Sequence, residues 1–490
     1  MKRPFSMVVI VLFFFYLSGC NKYPWDEFDY ISLEDGIEIT AYYGPYSEVT
    51  IPSEYKGYKV KSIGVGAFEK NKTIRVLKFS DGIEVIRHNA FEMCTNLHTV
   101  ELSDTIQIIE DYAFASCDSL TTITITSSVS EISASVFAHT PIQNILIDKD
   151  NAYFSEYDNV LFSNNGTQLV WYPIGKEGEE YTVPDTVLQI NDYAFYDAKF
   201  LTSVTINEGT EIINQYAFAC CLNLNEIVFA SSLKLICDYA FLNTSWLNSQ
   251  KNSFVIIQDR FLIAYTGNDS EIAIPEGIKC VSISNVVDIS SPVKVLKISS
   301  TVEYVSPGFL TQYTWDSFRV DYRNEFLTVD NYALVNKKEM TLLRVPISHA
   351  VEEYVVPDYI KSIGIRAFSS CRMGKIVLPE RIEKIEKCAF LSCGADSVIL
   401  NDCKNLKIIG DSAFEGSYSI TDMELPSRTQ EIGERAFAMC PKLKKLSLPV
   451  SVIYIGRDAF KDSEEINLFI ENNLIAQNYA ETFKIKYSMV

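Results

Sequence analysis

The pair Ala-Phe recurs along this chain at a fixed interval, and that interval limits what the chain can fold into more than any other feature. The Phe of the pair is Phe68, Phe91, Phe114, Phe195, Phe218, Phe241, Phe368, Phe390, Phe414, Phe437 and Phe460; Phe137 and Phe309 are variants preceded by Val and Gly. Within each block the spacing is 23 residues, with one 22 and one 24. A period of this length, sustained in three blocks, is the mark of a stacked-repeat architecture. The unit is clearest in "IGERAFAMCPKLKKLSLPVSVIY" (432–454). Its Leu443, Leu446 and Leu448, like Leu97, Val100 and Leu102, end in period-two alternation and predict a short strand with one buried face. Pro379, Pro426 and Pro449 close such strands, where no ladder donor is lost. The Ala-Phe-x-x-Cys-x-x-Leu stretch spaces its apolar and small positions three apart, which predicts one turn of helix on the return path.

A unit this short cannot bury its apolar side alone, so coils must stack into one continuous core. The Ala-Phe and small-residue positions resemble those of the BspA-type leucine-rich repeats of bacterial surface proteins, over nearly all of the chain after its leader. The resemblance implies an α/β leucine-rich-repeat solenoid, a right-handed superhelix. It would be β-rich, with each coil adding one strand to a parallel sheet, short helical turns and inserted β-hairpins. At about 4.8 Å per strand, roughly sixteen coils would extend on the order of 75 Å.

The long gaps between blocks are themselves repeated. "NAYFSEYDNVLFSNNGTQLVWYPI" (151–174) aligns without a gap to "NEFLTVDNYALVNKKEMTLLRVPI" (324–347), and the register holds through Phe195 and Phe368, an offset of 173. A shortened relative occupies 254–278. Each module reads as two strands around a polar turn, such as "SNNGT" (163–167) or "TGND" (266–269). Hairpin insertions are therefore expected at about 149–182, 249–273 and 323–355. The segment 31–44 reads as an opening cap and about 468–490 as a closing cap of helix and strand. Length alone suggests about three domains, but the repeat argues for a single solenoid over 31–490.

At the N-terminus, Lys2 and Arg3 precede the apolar run "MVVIVLFFFYL" (7–17) and then "LSGC" ending at Cys20. The run is too short to span a bilayer and small residues follow it, so 1–19 reads as an export signal. "LSGC" resembles a bacterial lipobox, which implies that Cys20 is acylated and becomes the mature N-terminus, with 20–30 as a tether. The formal charge of −20 disfavours nucleic acid and anionic membrane surfaces.

No catalytic set emerges. "IEDYAFASCDSLTTITI" (109–125) crowds Glu110, Asp111, Cys117, Asp118 and Ser119, yet other coils fill those positions with different residues. Six of the twelve cysteines, Cys94, Cys117, Cys221, Cys371, Cys393 and Cys440, stand three after the repeat Phe. Ala198, Thr140, Thr244, Ser417 and Ser463 take that slot elsewhere, which predicts a tight packing slot. Disulfides between coils stay open as an alternative. Neither a zinc-finger spacing nor a Gly-rich phosphate loop occurs, so no metal or cofactor is expected. Asp111, Asp192 and Asp238 recur before Tyr-Ala-Phe and are expected in solvated turns. His88, His98, His139 and His349 fall at unrelated repeat positions.

The outward strand positions, such as Thr99 and Glu101 or Lys445 and Ser447, are polar and poor in aromatics. Aromatics gather instead in and beside the insertions: Tyr153, Phe154, Tyr157, Trp171 and Tyr172, then Trp315, Tyr322 and Tyr332. They either fill the hairpins' own cores or form a recognition edge, since Tyr and Trp dominate binding hot spots. On the second reading, Tyr153, Tyr157, Trp171, Tyr172, Trp315 and Tyr332 are the candidate binding residues. The expected function is that of an exported, lipid-anchored, non-enzymatic protein of the cell envelope. It would sit at the outer membrane, surface-exposed, and adhere to protein or glycan ligands such as host extracellular matrix or mucin. A periplasm-facing structural lipoprotein and, lastly, an enzyme are the alternatives.

Overall fold

The computed structural model describes residues 27–490 apart from 34, 134, 286–292 and 401. The export signal, Cys20 and most of the tether therefore lie outside the described residues. The described residues pack as two compact units, one running up to Thr210 and including Ala217–Ala230, the other of Glu211–Tyr216 with Ser231–Val490.

Each regular coil contributes two strands, where the repeat unit predicts one. In the first unit the longer strands Glu48–Ile51, Val76–Phe79 and Thr99–Glu101 form one parallel ladder. The short strands Val85–Ile86, Ile108–Ile109 and Glu131–Ile132 continue a second parallel ladder that begins with Gly36–Tyr42 and Tyr58–Ile63. The second unit repeats the arrangement, with Glu353–Val355, Lys375–Val377 and Ser397–Ile399 in one ladder and Ser362–Ile363, Lys384–Ile385 and Ile408–Ile409 in the other. Two residues are too few for alternation to register as a pattern. Ile86 and Ile109 nonetheless point into the core.

The Ala-Phe segment is not a helix turn. It is a chain of turns that start at every second residue: Ala67 N–H donates to Gly64 O, Glu69 to Gly66 and Asn71 to Phe68. The residues two before and two after the Phe carry positive φ, as at Asn89 and Met93, Tyr112 and Ser116, Arg435 and Met439. This alternation turns the amides outward along the stack. Phe91 N–H donates to Ala113 O and Met93 N–H to Ala115 O, both at 2.8 Å, so the return path is itself a ladder. A left-handed residue with a side chain costs about 1–2 kcal/mol, and the bonds from coil to coil, which a local helix would forgo, offset that cost. Among the described residues the helices are Ser245–Asn248, Pro307–Gln312 and Leu474–Thr482.

The long modules hold three antiparallel strands, not two. In the first, Phe154–Tyr157 pairs Val160–Ser163, which pairs Gln168–Trp171; the third strand then runs parallel to Gln189–Ile190 and returns the chain to its coil. In the second, Leu327–Asp330, Ala333–Asn336 and Thr341–Arg344 do the same against Ser362–Ile363. The unread strand hides behind the two-residue turns Asp158–Asn159 and Asn331–Tyr332. All four residues have positive φ and none is the Gly that usually flags such turns. The middle module is one strand shorter: Phe254–Ile257 pairs Phe261–Tyr265 around Gln258 and Asp259. "TGND" lies beyond that hairpin and leads to Glu271–Ala273.

The repeat phenylalanines stack into columns. Ring centroids are 4.7 Å apart for Phe68 and Phe91, 5.2 Å for Phe91 and Phe114, and 4.8 Å for Phe390 and Phe414. At the far end the helix Leu474–Thr482 buries Ala476 and Ala480 in the core. Tyr479 there meets Phe460 edge-on at 5.8 Å.

Candidate binding surface

The six candidate aromatics divide cleanly. Tyr153, Tyr157 and Tyr332 are 51%, 70% and 61% exposed, whereas Trp171, Tyr172 and Trp315 are 4%, 2% and 1% exposed. The buried three are core residues, which removes them from the binding surface. Trp171 packs on Phe137 at 4.8 Å and Tyr172 stacks on Phe195 at 4.9 Å, so the insertion supplies two rings to the aromatic column. Trp315 donates its indole N–H to Leu310 O at 2.9 Å inside the second unit's core. Tyr332 stands on its hairpin turn and stacks on His349 at 4.1 Å; Tyr322, also at the surface, is flanked by Arg323.

The slot three after the Phe has a chemical preference that a size argument misses. In several coils its side chain donates to the carbonyl of the preceding coil's Phe, while Ala198 fills it without a donor and Thr244 donates to Phe241 O of its own coil. Cys94 Sγ reaches Phe68 O at 3.2 Å, Thr140 Oγ1 reaches Phe114 O at 2.6 Å, Ser417 Oγ reaches Phe390 O at 2.9 Å and Cys440 Sγ reaches Phe414 O at 3.1 Å. Cys, Ser and Thr share what the slot favours, a small donor, and the predominance of these three types over Ala was the available clue. Burial pushes the Cys94 thiol up to about 12 and the Cys371 and Cys440 thiols up to about 11. These cysteines are free and stay protonated, which makes them poor nucleophiles and poor metal ligands.

The Asp ladder is not uniform. Asp111 accepts from Ser133 and Ser135 at the surface, but Asp238 is buried. Asp238 accepts from Ser306 Oγ and, at 3.0 Å each, from the N–H groups of Ile283 and Gly308. Burial raises its pKa against those bonds. It ties its own coil to two later segments and is structural. Among the described residues, no group of three or more His, Cys, Asp or Glu is placed to hold a metal ion, and none of the helices is long and apolar enough to cross a membrane.

Beside each long hairpin lies a groove. The first, about 540 Å³, is lined by Glu110, Asp111, Glu131, Ile132, Tyr153 and Asn191 among others. The second, about 210 Å³, is lined by Glu303, Tyr304, Val305, Leu343, Ile365 and Glu386 among others.

Residues 38–167, 175–287 and 347–480 match the family described as BspA type Leucine rich repeat region, in six copies. The chain belongs to this family. Similar solved structures include a leucine rich cell surface protein from Faecalibacterium prausnitzii, 19% identical over 94% of this chain and 96% of that one, with a TM-score of 0.34. A leucine-rich repeat protein from Bacteroides ovatus is 18% identical over 96% and 100%, TM-score 0.34, and the pneumococcal vaccine antigen PcpA is 16% identical over 94% and 95%, TM-score 0.36. A comparison with curated proteins finds no match. As a BspA-type repeat protein the chain displays on its longer strands a row of polar side chains, exposed at Glu101, Thr122, Thr124, Asp422 and Glu424. The hairpin tyrosines are exposed as well, as are apolar side chains elsewhere, Leu146, Leu222, Val228 and Val450 among them.

Proposed function

We propose that this BspA-type repeat protein is an exported, non-enzymatic binding protein, held at the outer membrane by acylated Cys20 and displayed at the cell surface. There it engages a protein or glycan ligand, host extracellular matrix or mucin being the kinds to try first. The observation that carries the binding reading is the exposure of Tyr153, Tyr157 and Tyr332 on inserted hairpins. Among the described residues Tyr153 and Tyr157 make no ring contact that would account for their exposure, Tyr332 stacks only on His349, and such rings supply contact area at low entropic cost. The N-terminal pattern ending at Cys20 supports export and anchoring.

Titrating the purified protein against matrix proteins, mucins and glycans tests the reading. With a ligand in hand, alanine at Tyr153, Tyr157 and Tyr332 together should weaken binding about tenfold or more with only the small loss of melting temperature that the Tyr332–His349 contact accounts for. Unchanged affinity would remove the tyrosines from the site. Cys20→Ala should abolish incorporation of labelled fatty acid. Protease applied to intact cells should cut the body of the protein; protection until the envelope is broken would favour a periplasm-facing accessory role instead.

A further inference from the structure

We propose that the two long hairpins each form, with the short-strand ladder they interrupt, a groove for a lysine or arginine side chain of a partner polypeptide. The proposal deepens the binding reading above and rests on it. The short-strand ladders stop where the hairpins enter: Glu131–Ile132 is the last strand of one and Tyr304–Val305 the last strand of another. The hairpin then stands beside that last strand without pairing to it, and the gap is the groove.

The two grooves are one construction made twice. Ser130, Glu131, Ile132, Phe154, Gln168 and Val170 line the first. Residues 173 positions later, Glu303, Tyr304, Val305, Leu327, Thr341 and Leu343, line the second. In both, the walls are apolar and the rim is acidic. Carboxylates come from Glu110, Asp111 and Glu131 in the first, and from Glu303, Glu339 and Glu386 in the second. Neither lining includes a Lys or Arg. Glu110 is already held by Arg87 at 2.7 Å and by the His88 N–H at 3.0 Å, whereas Glu303 with Lys279 at 2.9 Å and Glu386 with Lys384 at 2.8 Å form pairs open to solvent on at least one side, which an incoming cation can exchange at little cost. Glu131 and Glu339 have no ion pair among the described residues. An apolar slot with an acidic mouth matches a side chain with an aliphatic stem and a cationic, donating head. The net charge of −20 draws such a partner in.

The test uses the full-length protein and a fluorescent peptide of alternating Gly and Lys, with its acetyl-lysine counterpart, which keeps the stem and loses the charge. Anisotropy titrations should show the acetylated peptide at least about tenfold weaker. Neutralising both grooves at once, with Asp111→Asn and Glu131→Gln in the first and Glu303→Gln, Glu339→Gln and Glu386→Gln in the second, should weaken the lysine peptide by about tenfold, whereas Asp422→Asn with Glu424→Gln, on the outer strand face, should change it less than about twofold. Equal losses from both sets would reduce the effect to general acidity and overturn the groove. A protein that ignores the lysine peptide but binds a matrix protein, mucin or neutral glycan would overturn the groove and leave the binding reading standing. Failure against every ligand would bring down both.

Discussion

The two copies of the inserted module, 151–195 and 324–368, hold the same backbone with different interiors. Their shared element is an asparagine. Asn151 Nδ2 donates to Thr126 O and Val129 O, while its Oδ1 accepts from the N–H groups of Tyr153 and Phe154. Asn324 repeats this against Ser299 O, Val302 O, Phe326 and Leu327. The positions that follow diverge. Trp171 and Tyr172 in the first copy are Arg344 and Val345 in the second. The geometry of the insertion therefore depends on four hydrogen bonds to one small amide, and the filling of the column beneath it is free to change.

The largest effect should separate the copies. Trp171→Ala removes a buried ring from between the Phe137 coil and the hairpin, and should cost about 3–5 kcal/mol in urea denaturation. A loss under about 1 kcal/mol would mean that the column does not run through the insertion. The next effect should unite them. Asn151→Ala and Asn324→Ala each strand buried backbone groups, and each should cost about 2–3 kcal/mol. If only one copy suffers, the shared-anchor account fails.

Arg344 is the sharper contrast. It is buried, its guanidinium donates to Arg366 O and to Ser369 O at 3.2 Å, its Nε has no partner, and no carboxylate pairs with it among the described residues. Burial lowers its pKa. A charge kept inside without a counterion contributes little net stability, since its desolvation opposes the two bonds. Arg344→Met keeps the stem and removes the charge, and thermal melts should place it within about 1 kcal/mol of the parent. A loss like that of Trp171→Ala would make the arginine an equal substitute for the ring.

The repeat, the packing slot and the sites of insertion were legible because each depends on spacing, which a sequence states directly. The return ladder was not, because its left-handed positions are filled by Asn89, Tyr112, Cys388 and Arg435, residue types that share no mark of positive φ. Nor was the burial of Trp171 and Tyr172, since an aromatic pair in an insertion looks the same whether the column passes beneath it or not. Asp238 shows the same limit. Its ladder mates Asp111 and Asp192 suggest a solvated turn, but the coil that follows it lacks an Ala-Phe pair, and its carboxylate bonds the later segments at Ile283 and Gly308. Of the candidate surface, the exposed half sits near hairpin turns, where apolar partners are scarce. The grooves depend on where a sheet stops, which no local pattern encodes.

The smallest effect concerns how each copy closes its outer turn. In the first, Lys176 Nζ meets Asp158 Oδ1 at 3.1 Å; 173 residues on, His349 instead stacks on Tyr332, the neighbour of Asn331 in the turn equivalent to Asp158–Asn159. An ion pair with one partner well exposed contributes less than about 1 kcal/mol and is screened by salt, whereas ring stacking is not screened. Asp158→Asn should therefore lower stability slightly at low ionic strength and not at all in high salt, while Tyr332→Ala should cost the same small amount in both. Denaturation curves at the two salt concentrations compare them, and a salt-dependent loss at Tyr332, or a salt-independent one at Asp158, would reverse the assignment of charge to one copy and stacking to the other.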